Sequence, residues 1–136
     1  MTGRVVEVGT ELPALTVTLR REDLVRYAGA SGDFNPIHWN DRMAASLGLP
    51  GVIAHGMLTM ASAARVVTDW LDDPADLLEY GVRFTKPVVV PDDDKGATVT
   101  FSAKVDKLAD GTAEIDITAL AGEEKVLGRA RAVVRV

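Results

Sequence analysis

The second half of the chain alternates apolar and polar residues, and this alternation predicts an antiparallel sheet. From Val99 to Val105 every second side chain is apolar, as expected for a strand that buries one face. Asp110-Gly111 follows this strand and predicts a tight hairpin turn. Alternation or a β-branched run predicts further strands over residues 14–19, 78–85, 88–90, 115–119 and 126–136.

Two short stretches of the first half follow helical periodicity instead. Residues 21–28 place Leu24 and Val25 on one apolar stripe, and Gly29 and Gly32 are expected to end that helix. Further along, Asn40 is placed to cap a short helix that runs through Leu47.

A third helical stretch, residues 56–71, carries no charged residue from Gly56 to Ala64. A helix that is apolar nearly all round is typically buried. We therefore expect an antiparallel sheet of four or five strands to curl around this helix and the two short helices to lie on one side. The fold class predicted is α+β, in a single domain over residues 1–136.

Composition limits the possible partners and the compartment. Hydrophobic residues make up 47% of the 136 residues, which favours a folded globule. The net charge of -5 argues against nucleic-acid binding, which needs a concentrated positive face. The chain has no cysteine, and neither residues 1–7 nor any later stretch has the apolar run of a signal peptide or membrane span. We expect a cytoplasmic protein without a membrane partner.

One loop, residues 31–38, carries the most conspicuous candidate chemistry. Asp33 and His38 lie on either side of Asn35-Pro36, and proline prevents the loop from continuing as a helix. A carboxylate and an imidazole that face one point form a general acid/base pair able to hold a water molecule. From spacing alone, the alternative is that Asp33 caps a turn and His38 is a half-buried loop residue.

Three segments of the sequence resemble the MaoC-like hydratases and dehydratases, a family that includes (R)-specific enoyl-CoA hydratases and (3R)-hydroxyacyl-ACP dehydratases. Residues 32–38 (Gly-Asp-Phe-Asn-Pro-Ile-His) are similar to the hydratase motif of this family. Residues 55–60 are similar to the start of its central helix, and residues 83–88 to its next strand. The resemblance covers nearly the whole chain, is closest to the catalytic subunits of mycobacterial dehydratases, and implies a hot-dog fold.

The resemblance also implies an activity, the reversible addition of water to a trans-2-enoyl thioester to give a (3R)-3-hydroxyacyl thioester. Asp33 and His38 would be the catalytic pair, and the Gly56 backbone N–H at a helix start would bind the thioester oxygen. Asn35 and His55 would support the site. Asp33, His38 and His55 could be imagined as a metal triad, but their spacing does not pair the two histidines on one helix, so we expect no metal. We also expect no cofactor, since the acyl group is carried on CoA or on ACP phosphopantetheine. The family further implies a homodimer, or a heterodimer with a second hot-dog subunit.

Two other functions compete with the hydratase. A hot-dog thioesterase usually needs a carboxylate on or near the central helix, and the stretch from Gly56 to Ala64 offers none. A non-catalytic subunit that only shapes an acyl tunnel has no need of the Asp/His pair, which this chain keeps. The carrier phosphates could be met by Lys86, Arg83, Arg129 and Arg131, and the alternative for these cations is a solvated sheet face. The acyl tunnel could be lined by Met43, Leu47, Leu49 and Val52, and the alternative for these residues is the ordinary core.

Overall fold

The computed structural model describes residues 5–136. Residues 1–4, part of the stretch without a signal-peptide pattern, lie outside this range. Two single turns of 3-10 helix, Pro36–His38 and Pro74–Asp76, lie between the main elements. In chain order those elements are β1 (Glu11–Leu19), α1 (Arg21–Ser31), α2 (Asp41–Ser46), α3 (Gly56–Thr68), β2 (Leu77–Phe84), β3 (Ala97–Ala109), β4 (Thr112–Ala121), β5 (Glu124–Lys125) and β6 (Leu127–Arg135).

The strands form one antiparallel sheet in the order β1-β3-β4-β6-β2, with the short β5 paired to β4. The predicted hairpins between β3, β4 and the last strand are present, and Gly111 supplies the positive φ of 79° that the first turn needs. The sheet has six strands, so the expected four or five is wrong. Residues 88–90 make only one isolated bridge, from Val89 to Ile53, and are not a strand of the sheet.

Helix α3 packs one face on the concave side of this sheet. Thr59, Ser62 and Ala63 are among the buried residues of that face, and alternate side chains of β3 from Val99 to Val105 are buried with them. Helix α3 is the buried helix that the sequence predicts, but its burial is not complete, since Met57 is 58% exposed. Neutral residues around a helix do not by themselves require burial on every side.

Two predictions for the first half also need correction. Helix α1 continues through Gly29 and ends only at Gly32, whose φ of 79° is the left-handed conformation of a helix C-cap. Val25 is 63% exposed, so the buried stripe consists of Leu24 and Ala28. By contrast, Asn40 caps α2 as predicted, since its Oδ1 accepts a hydrogen bond from the Met43 N–H at 3.0 Å.

A β-bulge lies on β6 opposite the end of β2. Gly81 pairs with Arg131, but Arg83 pairs with Gly128, so β6 has one extra residue in between. Arg129 lies in this bulge and has a positive φ of 45°. The bulge bends β6 beside the end of β2 that faces the start of α3.

Within residues 5–136, no helix combines the length and the apolar character needed to span a bilayer.

The core predicts a sharp contrast between two side chains of β3. Phe101 is 1% exposed, and its replacement by alanine should lower the free energy of unfolding by about 3–5 kcal/mol through lost burial and a cavity. Leu108 lies on the same strand but is 42% exposed, so Leu108→Ala should change it by only about 0.5 kcal/mol. Urea unfolding of both variants measures the difference. Equal losses would contradict the arrangement of this strand.

Candidate active site

The loop between α1 and α2 is held by its own polar side chains. The Asn35 N–H donates to Asp33 Oδ1 at 3.1 Å, and the Ile37 N–H donates to Asn35 Oδ1 at 3.2 Å. Asn35 also precedes the 3-10 turn that Pro36 begins. These bonds fix the backbone between Asp33 and His38, so the loop is a stiff support and its two ends keep a defined spacing.

The structure brings Asp33 and His38 together. The Oδ2 atom of Asp33 lies 3.9 Å from Nε2 of His38, and the imidazole is only 7% exposed. The alternative considered for Asp33 is present as well, since its Oδ1 caps the turn. The same carboxylate therefore uses one oxygen to hold the loop and directs the other at the imidazole.

The tautomer of His38 follows from the hydrogen bond made by its Nδ1 atom. Nδ1 lies 2.7 Å from the carbonyl oxygen of Ile53, which can only accept a hydrogen bond. Nδ1 therefore carries the proton, and neutral His38 presents a lone pair from Nε2 toward Asp33. Because the Asp33 carboxylate is also an acceptor, the two groups together suit a donor placed between them. An oxygen about 2.8 Å from each atom fits the 3.9 Å separation.

His55 contacts both members of this pair. Its ring stacks on His38 with centroids 3.8 Å apart, and its Nε2 donates to the Asp33 backbone carbonyl at 3.1 Å. Tyr27 packs edge-on against the opposite side, with centroids 4.7 Å apart. Burial, which leaves the residue 1% exposed, lowers the pKa of His55 below its usual value, and the neighbouring His38 adds to this effect. A neutral ring with its proton on Nε2 explains why the buried Nδ1 makes no hydrogen bond within residues 5–136.

Gly56 is the first residue of α3, directly after His55. A Cβ at this position would lie 3.1–3.3 Å from three ring atoms of Phe84, closer than ordinary van der Waals contact. The family resemblance implies that the Gly56 backbone N–H binds a thioester oxygen. In the structure, the group that already approaches Gly56 closely is the Phe84 ring.

A cavity of about 310 Å³ opens beside His38 and Gly56. Its lining does not include the four residues considered for an acyl tunnel; Val52, for example, is fully buried in the core. The lining comes instead from the loop, from the start of α3 and from the end of β2 and the residues after it. Its residues are Ile37, His38, Ile53, Ala54, Gly56, Thr59, Phe84, Thr85, Lys86, Pro87, Val88 and Val126.

Distant parts of the chain meet in this lining because residues 52–54 bridge them. The Ile53 N–H donates to the Ile37 carbonyl at 3.1 Å on one side, and the Ala54 N–H donates to the Val88 carbonyl at 2.9 Å on the other. Sequence reasoning missed Phe84, Val88 and Val126 as lining residues. Their only signal in the sequence is strand alternation, which does not tell which strand end borders a cavity.

The four candidate phosphate-binding cations separate into two groups. Lys86 lies at the cavity and pairs with Glu124 at 3.5 Å. Arg83, Arg129 and Arg131 instead line a different hollow, over β2 and β6. Only Lys86 of the four is therefore positioned at the cavity that contains His38.

Asp33, His38 and His55 also form a cluster of potential metal ligands. One side-chain oxygen or nitrogen atom of each residue lies within 4.8 Å of those of the other two. A bound metal lies in the plane of each ligating imidazole, about 2.0–2.1 Å from the nitrogen. The two rings are stacked with an interplanar angle of 21°, so their lone pairs do not converge on one point. The arrangement suits hydrogen bonding to a water molecule better than metal coordination, and the absence of a metal stays a prediction.

Comparison with known proteins places this geometry in a family. A family model described as a MaoC like domain matches residues 5–121. The chain is 43% identical over 79 residues to 3-hydroxyacyl-thioester dehydratase X of Mycobacterium tuberculosis, which covers 58% of this chain and 27% of that protein. It is 32% identical over 93 residues to the (R)-specific enoyl-CoA hydratase of Rhodospirillum rubrum, covering 68% and 64% of the two chains.

A solved structure of a MaoC-like dehydratase superposes on 96% of this chain and 40% of that one, with 43% identity and a TM-score of 0.91. This agreement confirms the α+β hot-dog fold, in which the antiparallel sheet wraps around α3. The chain spans about a quarter of the length of the M. tuberculosis relative. The resemblance inferred from the three sequence segments is confirmed, and the chain belongs to the MaoC-like domain family.

Proposed function

We propose that this chain catalyses the reversible hydration of trans-2-enoyl thioesters to (3R)-3-hydroxyacyl thioesters. The observation that carries the proposal is the pair formed by Asp33 Oδ2 and His38 Nε2, 3.9 Å apart beside the cavity. The relatives support it, since one is named as a 3-hydroxyacyl-thioester dehydratase and another as an (R)-specific enoyl-CoA hydratase. The reaction is that of a hydro-lyase.

In the hydration direction, the pair activates one water molecule. The water donates one hydrogen bond to Nε2 of His38 and the other to Oδ2 of Asp33, which orients its oxygen toward C3 of the enoyl group. As the C3–O bond forms, the pair takes up one proton of the water. The π electrons of the C2–C3 bond move toward the thioester carbonyl, where negative charge develops.

The same pair completes the reaction by returning a proton to C2. The product then carries the hydroxyl group at C3 and a new hydrogen at C2, and the pair recovers its starting protonation state. Because both transfers come from one side of the substrate, the addition is syn. Asp33 and His38 act on the same water molecule, so the mechanism assigns the proton steps to the pair.

The N-terminus of α3 is suited to the charge on the thioester oxygen. Gly56 begins this 13-residue helix and lines the cavity together with His38. Backbone N–H groups at a helix start have no partner within the helix, and the helix dipole favours an anion there. The Gly56 N–H is the proposed oxyanion donor, acting on the carbonyl while the pair acts on C2 and C3.

His55 is the proposed positioning residue. It holds the Asp33 backbone through a hydrogen bond and supports one face of the His38 ring by stacking. A neutral His55 also leaves His38 free to accept a proton, because a charged imidazole 3.8 Å away would oppose that step. Asn35 supports the same loop through its bond to Ile37.

No step of this mechanism needs a metal or a redox cofactor. The substrate brings its own activation, because the thioester carbonyl accepts the electrons of the double bond. The acyl group is carried on CoA or on ACP phosphopantetheine, and Lys86 is the cation placed to meet a phosphate of either carrier. Its present partner, Glu124, is a surface contact that an incoming phosphate can replace.

The cavity argues against the thioesterase alternative. Its lining contains no carboxylate among the described residues, so no acidic group faces a bound thioester carbonyl from α3. The alternative of a non-catalytic tunnel subunit is disfavoured because Asp33 and His38 are both present and lie 3.9 Å apart, with His38 in the cavity lining. A hydratase explains both the lack of a carboxylate on α3 and the presence of Asp33 and His38.

A second hot-dog subunit is part of the proposal. Among residues 5–136, β2 pairs with β6 alone, so the outer edge of β2 is open to another strand. Phe34, Trp39 and Met57 are 62%, 51% and 58% exposed, which is unfavourable for large apolar side chains without a covering partner. The proposed assembly is a homodimer, or a heterodimer with a different hot-dog chain.

Replacement of either catalytic residue should abolish most of the hydration. Asp33→Asn keeps an oxygen for the Asn35 N–H but loses the charge, and His38→Ala loses the base. Each should lower kcat for trans-2-enoyl-CoA hydration by about 10²–10⁴-fold, the range for general acid–base catalysis. The kcat of the double variant should be no lower than that of the less active single variant, because the two residues act as a unit.

The matched control for these variants is Asp92→Asn, which neutralises an exposed carboxylate far along the chain in the turn before β3. It should retain the wild-type rate. The assay measures loss of enoyl-thioester absorbance, with the chain alone and with candidate hot-dog partners. A wild-type chain that stays inactive with every partner would contradict the proposed function.

The buried His55 should make stability depend on pH. Its pKa is lowered in the folded protein, so below its ordinary value of about 6.5 the unfolded chain binds a proton that the folded chain does not. The free energy of unfolding should therefore fall as the pH drops below about 6.5. His55→Gln keeps an N–H donor but cannot titrate, and it should lose less stability between pH 7.5 and pH 5. Urea unfolding of both proteins at the two pH values measures this, and identical losses would refute it.

A further inference from the structure

The Phe84 side chain occupies a position that the catalytic mechanism does not explain. Its ring lies on Gly56, the proposed oxyanion donor, and lines the cavity that contains His38. It is nevertheless 53% exposed. A large apolar ring that is half exposed at the mouth of a catalytic cavity is positioned to contact whatever enters.

The backbone that carries this ring is firmly anchored. Four residues before Phe84, the Tyr80 hydroxyl donates to the Met60 carbonyl at 2.6 Å, which fixes β2 against α3. On the other side of Phe84, the Thr85 N–H donates to the Val126 carbonyl at 3.2 Å and the Thr85 hydroxyl donates to the Lys125 carbonyl at 2.9 Å. With both flanks held, Phe84 can respond to a ligand only by turning its side chain.

The place of the ring relative to the reacting atoms identifies what it would contact. In the proposed mechanism the carbonyl oxygen on C1 of the acyl group lies at the Gly56 N–H, and C3 lies at the water held by Asp33 and His38. The Phe84 ring lies beside Gly56, so the part of the substrate nearest to it is the C1–C2 region. The distal acyl chain lies further away. An unbranched acyl group has only a hydrogen on C2, whereas a 2-methyl group adds a carbon on the side of the ring.

We propose that Phe84 is a specificity residue that excludes acyl thioesters branched at C2. This inference rests on the proposed hydratase function and adds a substrate class to it. The contact with Gly56 is its structural basis, because a ring already 3.1–3.3 Å from the Cβ position of residue 56 has no room to retreat toward α3. The favoured substrates are therefore unbranched trans-2-enoyl thioesters.

The test compares crotonyl-CoA with its 2-methyl analogue, trans-2-methylcrotonyl-CoA, in the wild type and in Phe84→Ala and Phe84→Leu. One methyl group in an apolar site typically changes kcat/KM by about 10–200-fold. Phe84→Ala should therefore raise the kcat/KM ratio of the branched to the unbranched substrate by about tenfold or more, and Phe84→Leu by less. Leu108→Ala, which truncates an exposed apolar residue outside the cavity, should leave this ratio unchanged.

Gly56→Ala supplies an independent readout of the same contact. The added methyl group presses on the Phe84 ring and should push it toward the substrate, so activity on crotonyl-CoA should fall. Because Phe84→Ala removes the ring, the double variant should recover part of that loss. Such non-additivity is expected only for residues in contact.

The outcomes separate this inference from the function on which it rests. A wild type that hydrates crotonyl-CoA, with an unchanged substrate ratio in Phe84→Ala, would overturn the inference and leave the hydratase function standing. A Phe84→Ala protein that instead gains activity on trans-2-octenoyl-CoA alone would also overturn it, since the ring would then face the distal chain. A wild type without hydratase activity with any hot-dog partner would overturn both.

Discussion

The candidate site depends on one partly buried hydrogen bond, from Nδ1 of His38 to the carbonyl oxygen of Ile53, 2.7 Å long. It fixes the orientation of the imidazole and places the lone pair on Nε2, the atom that faces Asp33. It also ties the loop of residues 31–38 to residues 52–54, which lead directly into α3. Asp33, His38 and the start of the helix are therefore held in one rigid unit. Preorganisation of this kind is what acid–base and oxyanion catalysis require.

His55 extends this unit because a single side chain serves two neighbours. Its Nε2 proton is used for the Asp33 backbone and its ring face for His38. Burial keeps the ring neutral, and a neutral ring can stack on His38 without opposing its protonation. The cost is a buried Nδ1 without a hydrogen bond in the described part of the chain, a cost that is small compared with burying a charge.

The local features of the sequence predicted several geometric features of the candidate site. Asn35-Pro36 and Asn40 are residues with strong local preferences, so the turn and the cap of α2 could be placed before any tertiary contact was known. The proximity of Asp33 and His38 follows from that same short loop. The identification of Gly56 as a helix start likewise needs only its neighbours in sequence.

Features that depend on distant contacts could not be predicted in this way. Residues 88–90 have the β-branched composition of a strand, but they pair only with the segment beside Ile53, a contact that no local pattern encodes. The approach of Phe84 to Gly56 depends on how β2 crosses α3, and Arg129 reveals its bulge only through the register of β6 against β2. Alternation shows which residues share a face of a strand, but it does not show what that face meets.

The central claim is that Asp33 and His38 act together on one face of the substrate, delivering both the water and the proton. Hydration of crotonyl-CoA in D₂O, followed by NMR of the 3-hydroxybutyryl product, tests it directly. The mechanism predicts the (3R) product with the deuterium at C2 and the oxygen at C3 on the same face of the former double bond. Addition to opposite faces would contradict a single pair and require a second proton donor across the cavity. A (3S) product would contradict the proposed face of attack.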